Sequence, residues 1–238
     1  MRYGVVLPGG TALEQLDQAV LADQAGWDGV FVWEAAYGVD AWSLLAAIAC
    51  ATSRLRIGPM ITPLSRRRVH KLARETVTLD LLSSGRLTLG VGLGSARNGE
   101  LEPFGEVADP RERARLLDKG LDDLTRYWGG DFEPSPLQRP RIPVWVAAEW
   151  PHRRPVQRAL QWDGIFPTHV PGPAELAELA AEIRGSRPAD EPFDVVVDLP
   201  PGEDPAPWEQ AGATWVVTDF GTHPTAAEVR GVIEAGPR

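Results

Sequence analysis

Residues 66–94, RRRVHKLARETVTLDLLSSGRLTLGVGLG, contain a helix, a turn and a strand in succession. Three arginines open the helical segment, the triplet Ser84-Gly85-Arg86 ends it, and residues 87–92 form a short apolar run. A glycine directly after a helix is expected to take the left-handed cap conformation. The stretch is therefore predicted to be the helix and following strand of a repeated β/α unit.

The same alternation extends over the whole chain. Segments with an apolar residue every three or four positions separate short apolar runs, and two more helical segments end in glycine, at Gly26 and Gly212. Alternation of this kind predicts parallel strands covered by helices. The eight candidate strands are residues 3–7, 29–33, 55–60, 87–92, 143–147, 164–167, 194–199 and 214–218.

Eight units favour a closed barrel. An open, doubly wound sheet normally uses five or six strands, whereas a (β/α)8 TIM barrel uses eight. We therefore predict an α/β fold in which residues 1–238 form one barrel domain. The segment 129–141, rich in proline and glycine, is predicted to be a loop that leads into the fifth strand.

Composition limits the partners. The chain has 33 acidic and 24 basic residues among 238, a formal net charge of −9, so nothing favours nucleic acid or an anionic membrane. No apolar run reaches membrane-spanning length, and the N-terminus has no signal-peptide pattern. We expect a cytoplasmic protein with a small-molecule substrate. Cys50, in an apolar run, is predicted to be a buried structural thiol.

In a TIM barrel, functional residues lie at the carboxyl ends of the strands. The glycines of residues 89–94 fall inside a strand with no helix directly after them, so they do not form a dinucleotide-binding fingerprint. They allow either a flat ring to approach the backbone or tight packing inside the barrel.

Two arginine groups are candidate anion sites. Arg153 and Arg154 begin the fifth helix, where two guanidinium groups and a helix N-terminus would favour a phosphate; a solvated surface pair is the alternative. Residues 66–68 form a similar run at the start of the third helix, for which a solvated charge run is the simpler interpretation.

Proton transfer has one preferred candidate and metal binding has none. Glu34, at the end of the second strand, is the best-placed carboxylate for proton transfer, although it could equally cap a loop. The four histidines lie in different β/α units without metal-ligand spacing, so no metal is predicted; they are His70, His152, His169 and His223.

The run at residues 66–94 resembles the signature A-x-E-x-x-T-L-D-x-L-S-x-G-R-x-x-L-G-x-G of the luciferase-like monooxygenase family. Five further segments are similar to that family: residues 25–33, 52–58, 102–105, 141–147 and 162–167. The resemblance covers nearly the whole chain.

The resemblance implies a flavin- (FMN) or F420-dependent oxidoreductase or monooxygenase that binds reduced cofactor at the barrel mouth and acts on a small organic substrate. It also suggests a homodimer. Five residues are implied to contact the cofactor ring: Met60, Thr62, Gly92, Gly94 and Ser95. Three are implied to hold the phosphate: Trp150, Arg153 and Arg154.

Two departures from the family keep alternatives open. Many relatives have Asp-His after the second strand where this chain has Glu34-Ala35, and the loops after the fourth and seventh strands are short. A non-catalytic flavin-binding barrel is therefore the main alternative. An unrelated barrel enzyme that binds a phosphorylated substrate at Arg153 and Arg154 is a third.

Overall fold

One nine-stranded parallel sheet curls into a nearly closed barrel in the computed structural model, which describes residues 1–95, 99–188, 190–221 and 224–237. The sheet order is β3-β2-β1-β9-β8-β7-β6-β5-β4. The strands are β1 (Arg2–Leu7), β2 (Gly29–Val32), β3 (Arg56–Pro59), β4 (Thr62–Pro63), β5 (Leu89–Gly92), β6 (Val144–Glu149), β7 (Gly164–Thr168), β8 (Asp194–Leu199) and β9 (Trp215–Asp219).

Helices follow the strands and cover the outside of the barrel. In the part of the chain that the structure describes they are α1 (Ala12–Ala25), α2 (Ala41–Ala51), α3 (Val69–Leu82), α4 (Pro110–Arg126), α5 (Arg153–Ala159), α6 (Pro173–Ser186), α7 (Ala206–Ala211) and α8 (Ala226–Ala235). Gly26, Gly85 and Gly212 all have positive φ, as their positions after helices predict. Among the described residues, no helix has the length and apolar character to cross a membrane.

The predicted TIM barrel is confirmed, and each predicted strand is found with its ends shifted by at most two residues. The ninth strand is β4, which was not predicted and lies just beyond the third predicted strand, residues 55–60. The backbone leaves the sheet at Met60 and Ile61, which are joined by a cis peptide bond, and Thr62 and Pro63 then pair with β5. The chain therefore has two short strands here, of which the sequence pattern indicates only the first.

The barrel closes between β3 and β5. Ile57 and Leu87 form a parallel bridge, in which the amide of Ile57 donates to the carbonyl of Arg86 at 3.0 Å. The amide of Thr88 donates back to the carbonyl of Ile57 at 2.9 Å. These bonds connect β3 directly to the segment that leads into β5, on the amino-terminal side of β4, and so close the barrel.

Aromatic side chains fill the barrel interior. Phe31, Trp145 and Trp215 are at most 1% exposed, and their ring centroids lie 5.2–6.0 Å apart. Room for them comes from inward positions without a side chain: a Cβ on Gly164 would lie 2.5 Å from Cδ1 of Trp145. The interior is therefore a packed core at its lower end, so a ligand has access only at the opposite, carboxyl-terminal end.

Two residues of the signature run at 66–94 hold the barrel together. The carboxylate of Asp80, which is fully buried, accepts from the backbone amides of Leu137 and Gln138 at 2.7 and 3.1 Å. The guanidinium of Arg86 donates to the carbonyls of Ala49, Thr52 and Leu55 at 2.8–2.9 Å, and so binds the end of α2. Their roles in this chain are structural.

The prediction that Cys50 is buried is wrong, because its side chain is exposed. Helix α2 buries Leu44, Leu45, Ile48 and Ala49 against the barrel, and Cys50 follows on the solvent side of the same turn. The largely apolar helix α2 therefore still has one outward face, which Cys50 shares with Ser43, seven residues earlier.

Candidate active site

Side chains alternate along a strand, so the inward side chains of the core identify those that reach the barrel mouth. Phe31 points inward, and Trp33, two residues later, therefore faces the mouth from β2. Counting by twos from the inward residues of β6 to β9 in the same way gives the inward residue at the carboxyl end of each strand. These residues are Glu149 on β6, Thr168 on β7, Asp198 on β8 and Asp219 on β9. The mouth thus has an apolar side at β2 to β5 and an acidic side at β6 to β9.

An open cleft lies on the apolar side, with a cavity volume of about 190 Å³. Its walls contain an indole, a thioether, an aliphatic side chain and a proline ring, and one edge carries two carboxylates. The lining residues are Trp33, Glu34, Ala35, Met60, Ile61, Pro63, Gly94, Ser95 and Glu100. A cleft with flat apolar walls and a few polar groups at its edge suits one face of a planar ring system.

The backbone after β5 forms part of the cleft wall at Gly94 and Ser95. Gly94 has φ of +74°, and a Cβ there would lie 2.7 Å from Cβ of Pro63. Gly92, at the end of β5, is similarly close to Ile61, with 3.0 Å between its virtual Cβ and Cδ1 of Ile61. These glycines let Pro63 and Ile61 pack directly against the backbone, which is the tight-packing alternative, and Gly94 itself lines the cleft beside Pro63.

Glu34 is held by three side chains. Its Oε2 accepts from Nε1 of Trp42 at 2.8 Å and from the hydroxyl of Thr62 at 2.6 Å, and its Oε1 accepts from Nε of Arg67 at 2.6 Å. The Glu34 side chain is only 9% exposed. Its carboxylate therefore fixes α2, β4 and the turn after β4 relative to one another at the edge of the cleft.

Glu100 links two loops across the same cleft. Its Oε2 accepts from the backbone amide of Ala36 at 3.3 Å and from Arg66 at 3.0 Å. Nearby, the rings of Tyr37 and Phe104 meet edge to face with centroids 5.3 Å apart. The loops after β2 and β5 are thus joined over one side of the cleft.

The acidic side of the mouth has two carboxylates close to each other. Asp198 and Asp219 have no ion pair with lysine or arginine among the described residues, and Asp198 is exposed to the solvent in the open mouth. The pKa of Asp198 is raised, first because the surrounding barrel wall desolvates its carboxylate and also because Asp219 repels the charge. Glu149 and His169 lie beside them, with 3.8 Å between Oε1 and Nδ1.

Replacing Asp198 by asparagine is expected to stabilise the protein at neutral pH, by about 0.5 kcal/mol after allowance for solvent screening. The raised pKa means that ionisation of Asp198 disfavours the folded state, so the gain is complete above the folded pKa. It disappears as the pH falls below the ordinary value of 3.8. Urea unfolding of both proteins across this pH range measures it; a gain that persists at low pH would contradict the assignment.

The three residues implied to hold a phosphate lie apart from the cleft. Trp150 is partly buried against the outer layer, and its amide donates to the carbonyl of Thr168. Arg153 is 83% exposed and lies 3.9 Å from Glu182, while Arg154 is exposed with no ion pair among the described residues. Of the five implied ring contacts, Met60, Gly94 and Ser95 line the cleft, Gly92 lies below it, and Thr62 is buried behind Glu34.

A larger cavity, of about 1140 Å³, lies on the outer side of the barrel, between the outward residues of β1 and β9, the loop after β8 and helix α8. No predicted site residue lines it. TIM-barrel chemistry takes place in the mouth at the carboxyl ends of the strands, and the smaller cleft opens there beside the inward residues Trp33 and Met60, so we assign the candidate active site to it. Within the described residues no group of three potential metal ligands is found, and His223 lies outside them.

Sequence reasoning gave no role to several residues of this site. Counting by twos along the strands would have found Trp33, Asp198 and Asp219 once the inward set was known. Arg113 donates to the carbonyls of Leu93 and Gly94 behind the cleft. It also had a signal, because it falls on the buried stripe of α4 with Leu117, where a charge is unexpected. Glu100 lies in a loop and carries no comparable signal.

The profile of the family described as luciferase-like monooxygenase matches residues 1–206. Among curated proteins, an F420-dependent glucose-6-phosphate dehydrogenase of Amycolatopsis mediterranei is 30% identical over 158 residues, which are 57% of this chain and 47% of that protein. The oxygenase component of a flavin-dependent trigonelline monooxygenase of Acinetobacter baylyi is 26% identical over 187 residues, 70% of this chain and 51% of that protein. The chain thus spans about half the length of these relatives.

Solved structures support the fold over nearly the full length. The F420-dependent tetrahydromethanopterin reductase of Methanopyrus kandleri superposes with a TM-score of 0.78 at 15% identity, covering 98% of this chain and 96% of that one. The monooxygenase RslO1 of Streptomyces bottropensis also gives 0.78, at 19% identity, covering 99% and 97%. At such identities the likeness establishes the shared barrel.

Proposed function

Because the chain belongs to the luciferase-like monooxygenase family, we propose that it is an FMN- or F420-dependent oxidoreductase or monooxygenase that acts on a small organic substrate. The observation that carries the proposal is the apolar cleft at the carboxyl ends of β2 to β5, which Trp33, Met60 and Pro63 line. Relatives of both cofactor types match the chain, so the cofactor is left as FMN or F420.

The proposed cofactor ring lies against Met60, Gly94 and Ser95, with Trp33 and Pro63 as further walls. Gly92, at the end of β5, and Thr62, buried on β4, support the walls of the cleft without lining it. When bound, the cofactor supplies a hydride or activates oxygen. The protein's part is to hold the ring, and to limit water through the joined loops that carry Tyr37 and Phe104.

Proton transfer by Glu34 stays a prediction. Its carboxylate borders the cleft, which supports such a role, while its bonds to Trp42, Thr62 and Arg67 support a positioning role. To act in proton transfer, the Glu34 carboxyl group would have to exchange a proton with a ligand in the cleft while it still accepts from Trp42, Thr62 and Arg67. The pH dependence of turnover in Glu34→Gln separates the two roles.

The first experiment is a fluorescence titration of the purified protein with FMN and, separately, with F420, each oxidised and reduced. We expect tight binding of one cofactor. The double variant Arg153→Ala/Arg154→Ala is expected to weaken that binding by at least about tenfold, since each lost phosphate contact with arginine removes a charge-assisted hydrogen bond.

A matched control is Arg111→Ala/Arg139→Ala, which removes two exposed arginines whose side chains make no hydrogen bond or ion pair with described residues. It should leave the cofactor affinity unchanged. Absence of binding for both cofactors would overturn the proposed function. Equal affinity in the wild type and in the Arg153/Arg154 variant would overturn only the phosphate assignment.

The non-catalytic alternative predicts tight cofactor binding without turnover of any substrate. Family membership favours an enzyme, because the named relatives are dehydrogenases and monooxygenases. An unrelated barrel enzyme that binds a phosphorylated substrate at Arg153 and Arg154 predicts no affinity for either cofactor. The same titration therefore separates it from the other two.

The homodimer also belongs to this proposal. Leu81 and Leu82, at the end of α3, are 37% and 45% exposed, which supports an apolar contact there. Sedimentation of the purified protein tests it. A cytoplasmic location stays a prediction.

A further inference from the structure

Two arginines are buried directly behind the backbone that forms the cleft. Arg66 follows β4 in a short 3-10 turn, and its side chain is 10% exposed. Arg113 reaches the same place from the buried face of α4 and is 5% exposed. Buried arginine is unusual in proteins unless its charge is compensated.

Their guanidinium groups bind three consecutive carbonyls. Arg113 donates from one terminal nitrogen to Leu93 and Gly94, at 3.1 and 2.9 Å, and Arg66 donates to the carbonyl of Ser95 at 3.1 Å. The C=O and N–H of a trans peptide point in opposite directions. With these carbonyls turned towards the arginines, the amide N–H groups of Gly94 and Ser95 point away from them.

The positive charge of the pair is only partly compensated. Glu100 pairs with Arg66 at 3.0 Å, whereas Arg113 has no carboxylate within ion-pair distance among the described residues. The pKa of Arg113 is lowered, chiefly by burial and then by repulsion from Arg66, while Asp109 opposes the shift. The Nε atoms of both arginines are buried without a hydrogen-bond partner. The region behind the cleft therefore holds excess positive charge.

We propose that Arg66 and Arg113 act as positioning residues for an anionic ring: through residues 93–95 they favour the reduced, negatively charged form of a bound flavin over the neutral oxidised form. This inference rests on the proposed function and deepens it. Only the backbone of residues 93–95 would separate these cations from the ring. They would stabilise negative charge on the ring strongly, because the apolar surroundings screen the attraction little. The amides of Gly94 and Ser95 add their partial positive charge in the same direction.

The test compares the dissociation constants of oxidised and reduced FMN at mildly alkaline pH, where only the reduced ring carries the charge. In Arg113→Gln the preference for reduced FMN is expected to fall about tenfold, which equals a midpoint potential about 30 mV lower for this two-electron couple. Arg113→Lys, which keeps the charge, should return the preference to within about threefold of the wild type. Arg111→Gln, an exposed arginine of the same helix, should leave it unchanged.

The comparison of the two redox forms distinguishes electrostatics from shape. If Arg113→Gln weakens oxidised and reduced FMN equally, the arginine only shapes the loop, and the inference is wrong. Riboflavin, which lacks the phosphate of FMN, is titrated in parallel. If Arg113→Gln abolishes the preference for FMN over riboflavin but keeps the preference for reduced FMN, the two arginines bind the phosphate and the inference is also wrong. Arg66→Gln gives an independent test if Arg113→Gln does not fold. Failure of the wild type to bind FMN in either form would overturn this inference and, if F420 also fails, the proposed function with it.

Discussion

Replacing Gly58 by alanine is expected to leave little folded protein. Gly58 lies on β3 where the barrel closes, and a Cβ there would lie 1.9 Å from the carbonyl oxygen of Thr88 and 3.1 Å from its carbonyl carbon. Both contacts are with backbone, so no rotamer change relieves them. The bridge between Ile57 and Leu87 holds β3 and β5 together beside this contact, so separating the strands would open the barrel.

We expect a loss of more than about 4 kcal/mol in the free energy of unfolding, measured by urea denaturation followed by circular dichroism. The matched control is Gly185→Ala. Gly185 lies within α6 with no atom near its virtual Cβ, so alanine there should stabilise the protein by about 0.5–1 kcal/mol. A Gly58→Ala protein that unfolds at the wild-type urea concentration would show that β3 and β5 are not in contact as described.

The architecture could be predicted because it repeats. Each β/α unit carries its own apolar strand and its own helical period, so one misjudged boundary does not change the strand count. The exception is the break at Met60 and Ile61, after which Thr62 pairs with Val91. That pairing depends on β5, almost thirty residues later, and no local pattern in residues 55–63 indicates it. Barrel closure at Gly58 could not be predicted for the same reason, because its contact partner lies at Thr88, far along the chain.

The site was predictable only in part. The family resemblance pointed to Met60, Gly94 and Ser95 at the carboxyl ends of two strands, and these three residues line the cleft because the barrel brings those ends together. Side-chain partners were not predictable, because they come from distant segments. Glu34 is bound from residues 42, 62 and 67, and a carboxylate that looks free in sequence is fully engaged in the fold.

Replacing Glu34 by alanine is expected to lower the free energy of unfolding by about 3 kcal/mol and to weaken cofactor binding. The change removes three hydrogen bonds and leaves the guanidinium of Arg67, whose side chain is 22% exposed, without its closest carboxylate. Glu75, at 3.9 Å from Arg67, compensates poorly. Urea unfolding and the FMN and F420 titrations measure both effects, with Glu102→Ala, an exposed carboxylate after β5, as the control.

A double-mutant cycle with Arg67→Ala decides how much of this loss belongs to the ion pair. If Glu34 and Arg67 stabilise the fold chiefly through each other, the double variant should be more stable than the sum of the single losses predicts, with a coupling energy of about 1–3 kcal/mol. The single variants leave an unpaired buried charge, whereas the double variant leaves none. Additive losses would mean that Glu34 acts mainly through Trp42 and Thr62. Its carboxylate would then be bound less firmly on the Arg67 side and more available for proton transfer.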